Sequence, residues 1–265
     1  MIARQDMDVI DICLPTDLHA EVAIAAMHAG KHVFCEKPMA RTVAEADAMI
    51  AASRETGRRL MIGHCIRFWS EYAELVRLVR TKELGELLSL NLTRYGEFPH
   101  WSVDGWLGEE TRAGGAALDM HIHDSDFSLY LLGKPEFTHS LGTLDQRGVS
   151  QIFTTAQFGR TVVHTEGGWN LPPGTPFQMS FRAVFEKGAA IYERGVLTIY
   201  CADGTSRTPR FVPRGQAVGG GNLSDLGGYY LEWDYFLRCL QDDQPFDECT
   251  PESARDSLAY TLDEI

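Results

Sequence analysis

In the first quarter of the chain, short apolar runs alternate with segments of helix length. Buried parallel strands appear in a sequence as continuous apolar runs, and a helix usually joins each strand to the next. The alternation therefore predicts a parallel α/β unit. Its predicted strands are residues 9–14, 33–35 and 58–63.

Cap residues indicate where the two connecting helices begin. Asp17 is placed to cap the first helix, which is predicted over residues 18–29. Thr42 and Glu45 have capping-box spacing at the start of the second helix, and Gly57 follows its last turn. These signals fix the order strand, helix, strand, helix, strand.

Beyond residue 70 the pattern changes to closely spaced strands with few helices, which is typical of an antiparallel sheet. We therefore divide the chain into a partial parallel α/β domain, residues 1–70, and an α+β domain with a mostly antiparallel open sheet, residues 71–265. In the second domain, helices are predicted over residues 72–82, 117–132, 223–240 and 251–264, and strands over residues 87–95, 137–144, 151–158, 161–169, 177–185, 189–193 and 196–200.

Charge and composition restrict the classes of partner. The formal net charge is −13, whereas a surface that follows nucleic-acid or lipid phosphates needs clustered lysine and arginine. No apolar run approaches the roughly 18 residues of a membrane span, and no basic-then-apolar leader opens the chain. The six cysteines are scattered without C-x-x-C spacing, which favours reduced thiols in a cytoplasmic protein. We expect neither a nucleic-acid nor a membrane partner.

A charged tripeptide follows the second predicted strand. Glu36, Lys37 and Pro38 come directly after an apolar run, and the proline ends the strand. Open parallel sheets bind ligands beyond the carboxyl ends of their strands. This position makes Lys37 a candidate site residue, although a surface ion pair that closes the strand is the simpler alternative.

A second candidate group lies on the helix predicted over residues 117–132. Asp119 and His123 are four residues apart and therefore share one face of a helix. The alternative is a first helical turn whose acidic residues favour the helix dipole, and this explains Asp124 better than it explains the pair. An imidazole suits proton transfer because its unperturbed pKa lies close to neutrality.

The same stretch also contains an H-x-H-D-x-D pattern, which raises the possibility of a metal-dependent hydrolase. On a strand, His121 and His123 would face the same side. On a helix they diverge by about 200°, at about 100° per residue, and cannot bind one ion together. Since the segment has helix length, we expect no metal site.

A phosphate-binding glycine motif is missing from the sequence. Dinucleotide-binding domains begin with a strand, a turn of the form G-x-G-x-x-G and a helix, and no such motif occurs in these 265 residues. The glycines at residues 219–221 follow the predicted antiparallel region, so we interpret them as a loop.

Taken together, these segments resemble the Gfo/Idh/MocA family of nicotinamide-dependent sugar oxidoreductases. The resemblance covers nearly the whole chain and rests on three stretches. They are VIDICLPTDLHAEVAIAAMHAGKHVFCEKPM, IGHCIRFWSEY and GGAALDMHIHDSDFSLYLLGKP.

The resemblance implies an N-terminal Rossmann domain and a C-terminal domain whose open sheet forms a homo-oligomer, a dimer or a tetramer. This sequence departs from the family pattern because the first two strand–helix units are absent, roughly 60 residues at about 30 per unit. We therefore expect a truncated family member that uses NAD or NADP.

The resemblance also assigns roles. Lys37 hydrogen-bonds the reacting hydroxyl and the cofactor ribose, His123 accepts the proton, and Asp119 helps to hold the sugar, inositol or related polyol substrate. Glu36 approaches the nicotinamide end of NAD or NADP. The remaining positions expected at the cofactor are Pro15, Thr16, His19, Pro38 and Arg67.

Two of these expectations have alternatives. Arg67 is equally consistent with an inter-domain ion pair. Trp106, expected to contact the substrate, would form a sugar-stacking wall with His100, Trp101 and Trp169, although tryptophans more often belong to a core. A non-catalytic family member that has lost its cofactor is the competing function.

Overall fold

Three parallel strands form the first sheet of the protein, as described by a computed structural model. Glu36 at the end of the central strand pairs with Gly63 at the end of its neighbour, so the carboxyl ends lie along one edge. The predicted parallel α/β unit is confirmed. The strands, in spatial order, are β1 (Val9–Ile12), β2 (His32–Glu36) and β3 (Leu60–Gly63).

Two helices connect these strands, α1 (His19–His28) and α2 (Val43–Thr56). The capping box is confirmed, because Thr42 Oγ1 accepts a hydrogen bond from the Glu45 backbone at 3.2 Å and Glu45 Oε2 accepts one from the Thr42 backbone at 2.9 Å. The predicted cap of α1 was wrong. Asp17 lies in a 3-10 turn before the helix, where its carboxylate accepts a hydrogen bond from Arg112 Nε at 3.2 Å.

The chain then enters the second region through a 3-10 turn, Cys65–Phe68. The next elements are α3 (Ser70–Thr81), β4 (Leu87–Glu97), the short α4 (Glu110–Ala113) and α5 (Ile122–Leu132). The helix predicted over residues 117–132 starts as a π-helical turn, Ala117–His121, before α5 begins. Turns of this kind inside helices are frequent at functional sites.

In the described residues, a second sheet contains β4 and seven later strands. These are β5 (Phe137–Asp145), β6 (Gly148–Phe158), β7 (Thr161–Leu171), β8 (Gln178–Phe185), β9 (Gly188–Glu193), β10 (Val196–Cys201) and β11 (Ser206–Arg207). Their order across the sheet is β11-β10-β9-β8-β4-β7-β6-β5. Among these eight strands the neighbours β4 and β7 run parallel and the other neighbouring pairs are antiparallel, so the mostly antiparallel sheet is confirmed.

One face of this sheet carries the larger core. Tyr72 on α3 and Phe127 on α5 pack edge to face, with ring centroids 4.9 Å apart. Both are fully buried against strand residues such as Leu92 and Phe181. Burying aromatic and aliphatic side chains is the main stabilising contribution of this layer, and it fixes α5 on the sheet.

The C-terminal helices, α6 (Gly227–Gln241) and α7 (Pro251–Asp263), pack against the three-stranded sheet. Leu258 of α7 joins the core shared with α1 and α2, while Phe236 of α6 joins Phe34 on the opposite face. The structure describes residues 1–211 and 227–265, so the glycines at 219–221 and the first residues of the helix predicted over 223–240 lie outside the described residues. Within them, no helix combines the length and apolar character that a membrane crossing needs.

Candidate active site

Lys37 and Asp119, 82 residues apart in the chain, meet at the edge where the parallel strands end. Lys37 Nζ donates to Asp119 Oδ1 at 2.9 Å and to the Asp119 carbonyl oxygen at 2.6 Å. The two side chains retain 15% and 22% of their exposure, so the pair is partly accessible to solvent. Because an ammonium group has three N–H donors, one donor of Lys37 remains for a ligand.

His123 lies in the first turn of α5, one helical turn beyond Asp119. The residue is partly exposed, but its Nδ1 is buried and has no hydrogen-bond partner. Burial and the positive charge of Lys37 lower the pKa of the imidazole well below its ordinary value. His123 is therefore neutral near pH 7 and can accept a proton at the nitrogen that is not buried.

Glu36 completes the charged group at the strand end. It is half-buried, and its carboxylate accepts a hydrogen bond from the Lys37 backbone at 3.3 Å. Burial raises the pKa of this carboxyl group, although the charge of Lys37 opposes the shift. A Cβ atom at Gly63 would lie 3.4 Å from Glu36 Oε1, so the glycine leaves space beside the carboxylate.

His19 joins the loops that follow β1 and β2. Its Nε2 lies 2.8 Å from the Leu14 carbonyl oxygen and its Nδ1 lies 2.8 Å from the Pro38 carbonyl oxygen. With both ring nitrogens engaged and 1% of the residue exposed, the geometry favours a supporting position over direct cofactor contact. Thr16 is also buried, whereas Pro15 is half-exposed at the same edge. Cofactor contact by these residues stays a prediction.

Arg67 forms the ion pair that was the alternative to a cofactor role. Its Nε and Nη2 donate to the two carboxylate oxygens of Asp126 at 2.9 and 2.5 Å. Its Nη1 donates to the Glu248 carbonyl oxygen at 2.9 Å and to Ser253 Oγ at 3.0 Å. The guanidinium lies 4.9 Å from the centre of the Tyr130 ring. Arg67 thus joins α5 to the start of α7, and its role toward a cofactor stays a prediction.

The four aromatic residues of the predicted wall differ in their surroundings, and the wall itself stays a prediction. Trp169 is 1% exposed and packs edge to face on Phe98, which is the core alternative considered for it. Trp101 is 79% exposed and His100 is also exposed on the loop after β4. Trp106 is half-buried, and its contact with a substrate stays a prediction.

The residues of the H-x-H-D-x-D pattern take separate partners. His121 lies 3.3 Å from Glu264, and Asp124 accepts two hydrogen bonds of 3.1 Å from Arg94. In the part of the chain that the structure describes, no three His, Cys, Asp or Glu side chains are arranged to hold a metal ion.

Two buried residues near the site were not identified from the sequence. Arg94 follows Leu90 and Leu92 on the buried face of β4. This alternation is a sequence pattern that predicts a buried arginine, and a buried arginine needs an acidic partner. His64, directly after β3, is fully buried and lies 3.4 Å from Asp126. Its sequence position gave no comparable signal.

The residues present fit the nicotinamide end of a dinucleotide. Glu36 has acceptor capacity left for the hydroxyl or amide donors of such a ligand, and Lys37 keeps one donor. Both lie at the carboxyl end of β2, and open α/β sheets hold nucleotides beyond the carboxyl ends of their strands. The arrangement of an ammonium, a neutral imidazole and a carboxylate can activate a hydroxyl group by removing its proton and stabilising the oxygen.

Two family models and several known proteins match this sequence. The family model described as an oxidoreductase family with an NAD-binding Rossmann fold matches residues 1–64, and the GFO/IDH/MocA C-terminal domain model matches residues 72–191. Levoglucosan dehydrogenase of Pseudarthrobacter phenanthrenivorans is 36% identical over 140 residues, which are 51% of this chain and 35% of that protein. Myo-inositol 2-dehydrogenase of Thermotoga maritima is 32% identical over 134 residues, 51% of this chain and 39% of that protein.

Solved structures show the same fold. A levoglucosan dehydrogenase in complex with NADH and levoglucosan superposes with a TM-score of 0.82 at 23% identity, covering 99% of this chain and 79% of that one. The alignments with the two curated relatives span little more than a third of the length of those proteins. The two family models together match both regions of the sequence. The chain therefore belongs to the GFO/IDH/MocA oxidoreductase family.

Proposed function

We propose that this protein is an NAD- or NADP-dependent oxidoreductase that interconverts an alcohol and a carbonyl group on a sugar, inositol or related polyol. The observation that carries the proposal is the contact of Lys37 with Asp119 at the strand edge, with His123 one helical turn beyond Asp119. Relatives named as levoglucosan, myo-inositol and D-glucoside dehydrogenases support the substrate class.

In the direction of oxidation, the substrate hydroxyl lies between Lys37 and His123. Lys37 donates its remaining N–H to the hydroxyl oxygen and stabilises the negative charge that develops there. His123 takes the hydroxyl proton at Nε2, since its Nδ1 is buried. The bound nicotinamide supplies the hydride acceptor. Asp119 holds the ammonium in place through two contacts with Lys37.

The electrostatics of the site favour this assignment. The pKa of His123 is lowered by burial and by Lys37, so the imidazole enters the reaction unprotonated. The alkoxide that forms is adjacent to the Lys37 ammonium, and a partly buried charge interacts more strongly than one in bulk water. The same ammonium thus keeps the base neutral and stabilises the product of its action.

Turnover by a lysine variant tests the proposal. K37A or K37M, assayed with NAD⁺ and NADP⁺ on a panel of sugars and polyols, should lose at least about 100-fold in kcat/KM and keep the wild-type melting temperature. K134M is the matched control, because Lys134 is 79% exposed in a surface ion pair with Asp256. Activity of K37M at the wild-type level would remove Lys37 from the mechanism.

The competing candidate is a non-catalytic family member that acts as a binding or regulatory protein. Such a protein would not need the nicotinamide cofactor. Titration of the wild-type protein with NADH and NADPH, followed by nicotinamide fluorescence, separates the two candidates. Saturable binding supports the enzyme, and no binding at millimolar cofactor supports the regulatory protein.

The proposal includes a homo-oligomer, a dimer or a tetramer, formed through the outward face of the eight-stranded sheet. Exposed apolar side chains on this sheet, Leu88, Val162 and Tyr200, support that contact. Light scattering on the purified protein measures the oligomeric state, and a monomer at all concentrations contradicts this part of the proposal.

The six free cysteines support a cytoplasmic location. The break between the family models, after residue 64 and before residue 72, supports the domain division at residue 70.

A further inference from the structure

The π-helical turn Ala117–His121 carries one member of the proposed site, Asp119. At the end of this turn the Ile122 amide donates to the Ala117 carbonyl oxygen, five residues back, whereas an α-helix uses the carbonyl four residues back. Asp119 accepts from Lys37 through its carboxylate at 2.9 Å and through its backbone carbonyl oxygen at 2.6 Å. Because the second acceptor belongs to the backbone, the form of the turn sets where the Lys37 ammonium lies.

His121 is the last residue of the turn and anchors it. The residue is fully buried, and its Nε2 forms a hydrogen bond with Thr154 Oγ1 on β6 at 3.3 Å. The same nitrogen lies 3.3 Å from Oε1 of Glu264, which follows α7. On β7, a Cβ atom at Gly167 would lie 3.5 Å from His121 Cα, so that strand also packs closely on the turn. The turn is therefore held between the large sheet and the end of α7.

A second contact orients the Glu264 carboxylate. Its Oε2 accepts a hydrogen bond from Ser125 Oγ on α5 at 2.6 Å, and this leaves Oε1 facing the His121 ring. The Glu264 side chain is 1% exposed. A carboxylate taken out of water needs polar partners, and these two lie on the π turn and on the helix that continues it. One buried side chain thus joins both parts of this helical segment to α7.

We propose that Glu264 and His121 are positioning residues for the contact between Lys37 and Asp119. They hold the π turn in the form that presents both the carbonyl oxygen and the carboxylate of Asp119 to the lysine ammonium. The inference rests on the proposed function only where it gives Lys37 and Asp119 a part in the reaction. The dependence of the turn on Glu264 does not require that function.

Hydrogen exchange of backbone amides measures the turn without substrate or cofactor. E264A removes both contacts of the carboxylate. E264Q replaces one of its two oxygens by an NH₂ group, so the side chain can accept at Ser125 or at His121 but not at both. E252A is the matched control, because Glu252 lies in the first turn of α7, pairs with Arg54 and is 54% exposed.

In E264A we expect the amides of residues 117–124 to exchange at least about 10-fold faster than in the wild type, and in E264Q about threefold faster. The amides of β3 should keep their rates, and E252A should leave the turn unchanged. Unchanged exchange of the turn in E264A overturns the proposal. Exchange that rises equally throughout the chain also overturns it, because that result shows a general loss of stability. If E264A does not fold, the same comparison with E264Q decides.

Activity then distinguishes this inference from the proposed function. Well below its melting temperature, E264A should lose about 10-fold in kcat with little change in KM, and E264Q about threefold. A lower melting temperature with wild-type kcat would make Glu264 a purely structural residue and overturn the positioning role. A wild-type protein that turns over no sugar or polyol contradicts the proposed function, while hydrogen exchange continues to test whether Glu264 holds the turn.

Discussion

The ion pair of Arg67 with Asp126 gives the sharpest prediction of stability. The side chains are 2% and 0% exposed, and two hydrogen bonds join them. In R67M the methionine keeps much of the side-chain length and removes the charge. The variant leaves an ionised carboxylate in the interior, which typically costs about 3–5 kcal/mol. It also removes the contacts of Arg67 with the Glu248 carbonyl oxygen and Ser253.

The magnitude translates into a melting temperature. For proteins of about 150–250 residues, 1 kcal/mol corresponds to about 2–4 °C, so R67M should melt about 6–20 °C below the wild type near neutral pH. Calorimetry or circular dichroism measures the difference. R54M is the matched control, because Arg54 pairs with Glu252 at 2.8 Å but is 71% exposed. Its free energy of unfolding should change by less than about 0.5 kcal/mol.

The pH dependence of this difference in melting temperature tests whether the unpaired Asp126 carboxylate causes it. In the wild type, the lowered pKa of Asp126 contributes stability above the unfolded-state value, and this stability is lost only as the pH falls through the folded-state value. In R67M, burial without the guanidinium raises the pKa of Asp126, so acidification neutralises the carboxylate and relieves the cost. The difference in melting temperature between the wild type and R67M should therefore become smaller from about pH 7.5 to about pH 5. A difference below about 2 °C near neutral pH, or one that does not depend on pH, refutes the reasoning.

Three further predictions use other features. Burial lowers the pKa of His123, so the decrease of kcat at acidic pH, caused by protonation of this base, should have its midpoint below pH 6.5. A midpoint above that value contradicts the assignment of His123 as the base. Cys13 is exposed, yet burial of its thiol and the charge of Asp11 raise its pKa to about 12, so mass spectrometry should show slow alkylation at neutral pH compared with the unfolded chain. G115A should lower the melting temperature more than G159A. Both glycines have positive φ, but only at Gly115 would a Cβ atom lie 2.6 Å from a backbone oxygen.

Local patterns predicted most of the secondary structure because each strand and helix carries its own signal. The capping box at Thr42 lies within four residues. The strands between residues 137 and 201 are predicted by the alternation of apolar and polar residues along each strand. Asp17 was misassigned as a cap because a 3-10 turn intervenes before α1. Its true partner, Arg112, is 95 residues away in the chain. No local rule identifies such a partner.

The candidate site was predicted only in part, for the same physical reason. Residue type and strand-end position singled out Lys37, and spacing on a helix singled out Asp119 with His123. The contact between them depends on how two sheets are placed, which periodicity does not encode. Arg67 shows the limit, because a single arginine in a sequence does not reveal whether it meets Asp126 or a ligand.

The acidic residues at the start of α5 show how the site depends on the whole fold. Asp119 binds Lys37 from the parallel sheet, Asp124 binds Arg94 from the large sheet, and Asp126 binds Arg67 from the turn between the two regions. A helix dipole alone would favour all these acids equally, yet each has a cation from a different element. His123 lies within this series, so its position relative to Lys37 is set by ion pairs to both sheets. Breaking a buried pair that takes no part in the proposed reaction, such as Arg94 with Asp124, should therefore alter catalysis as well as stability.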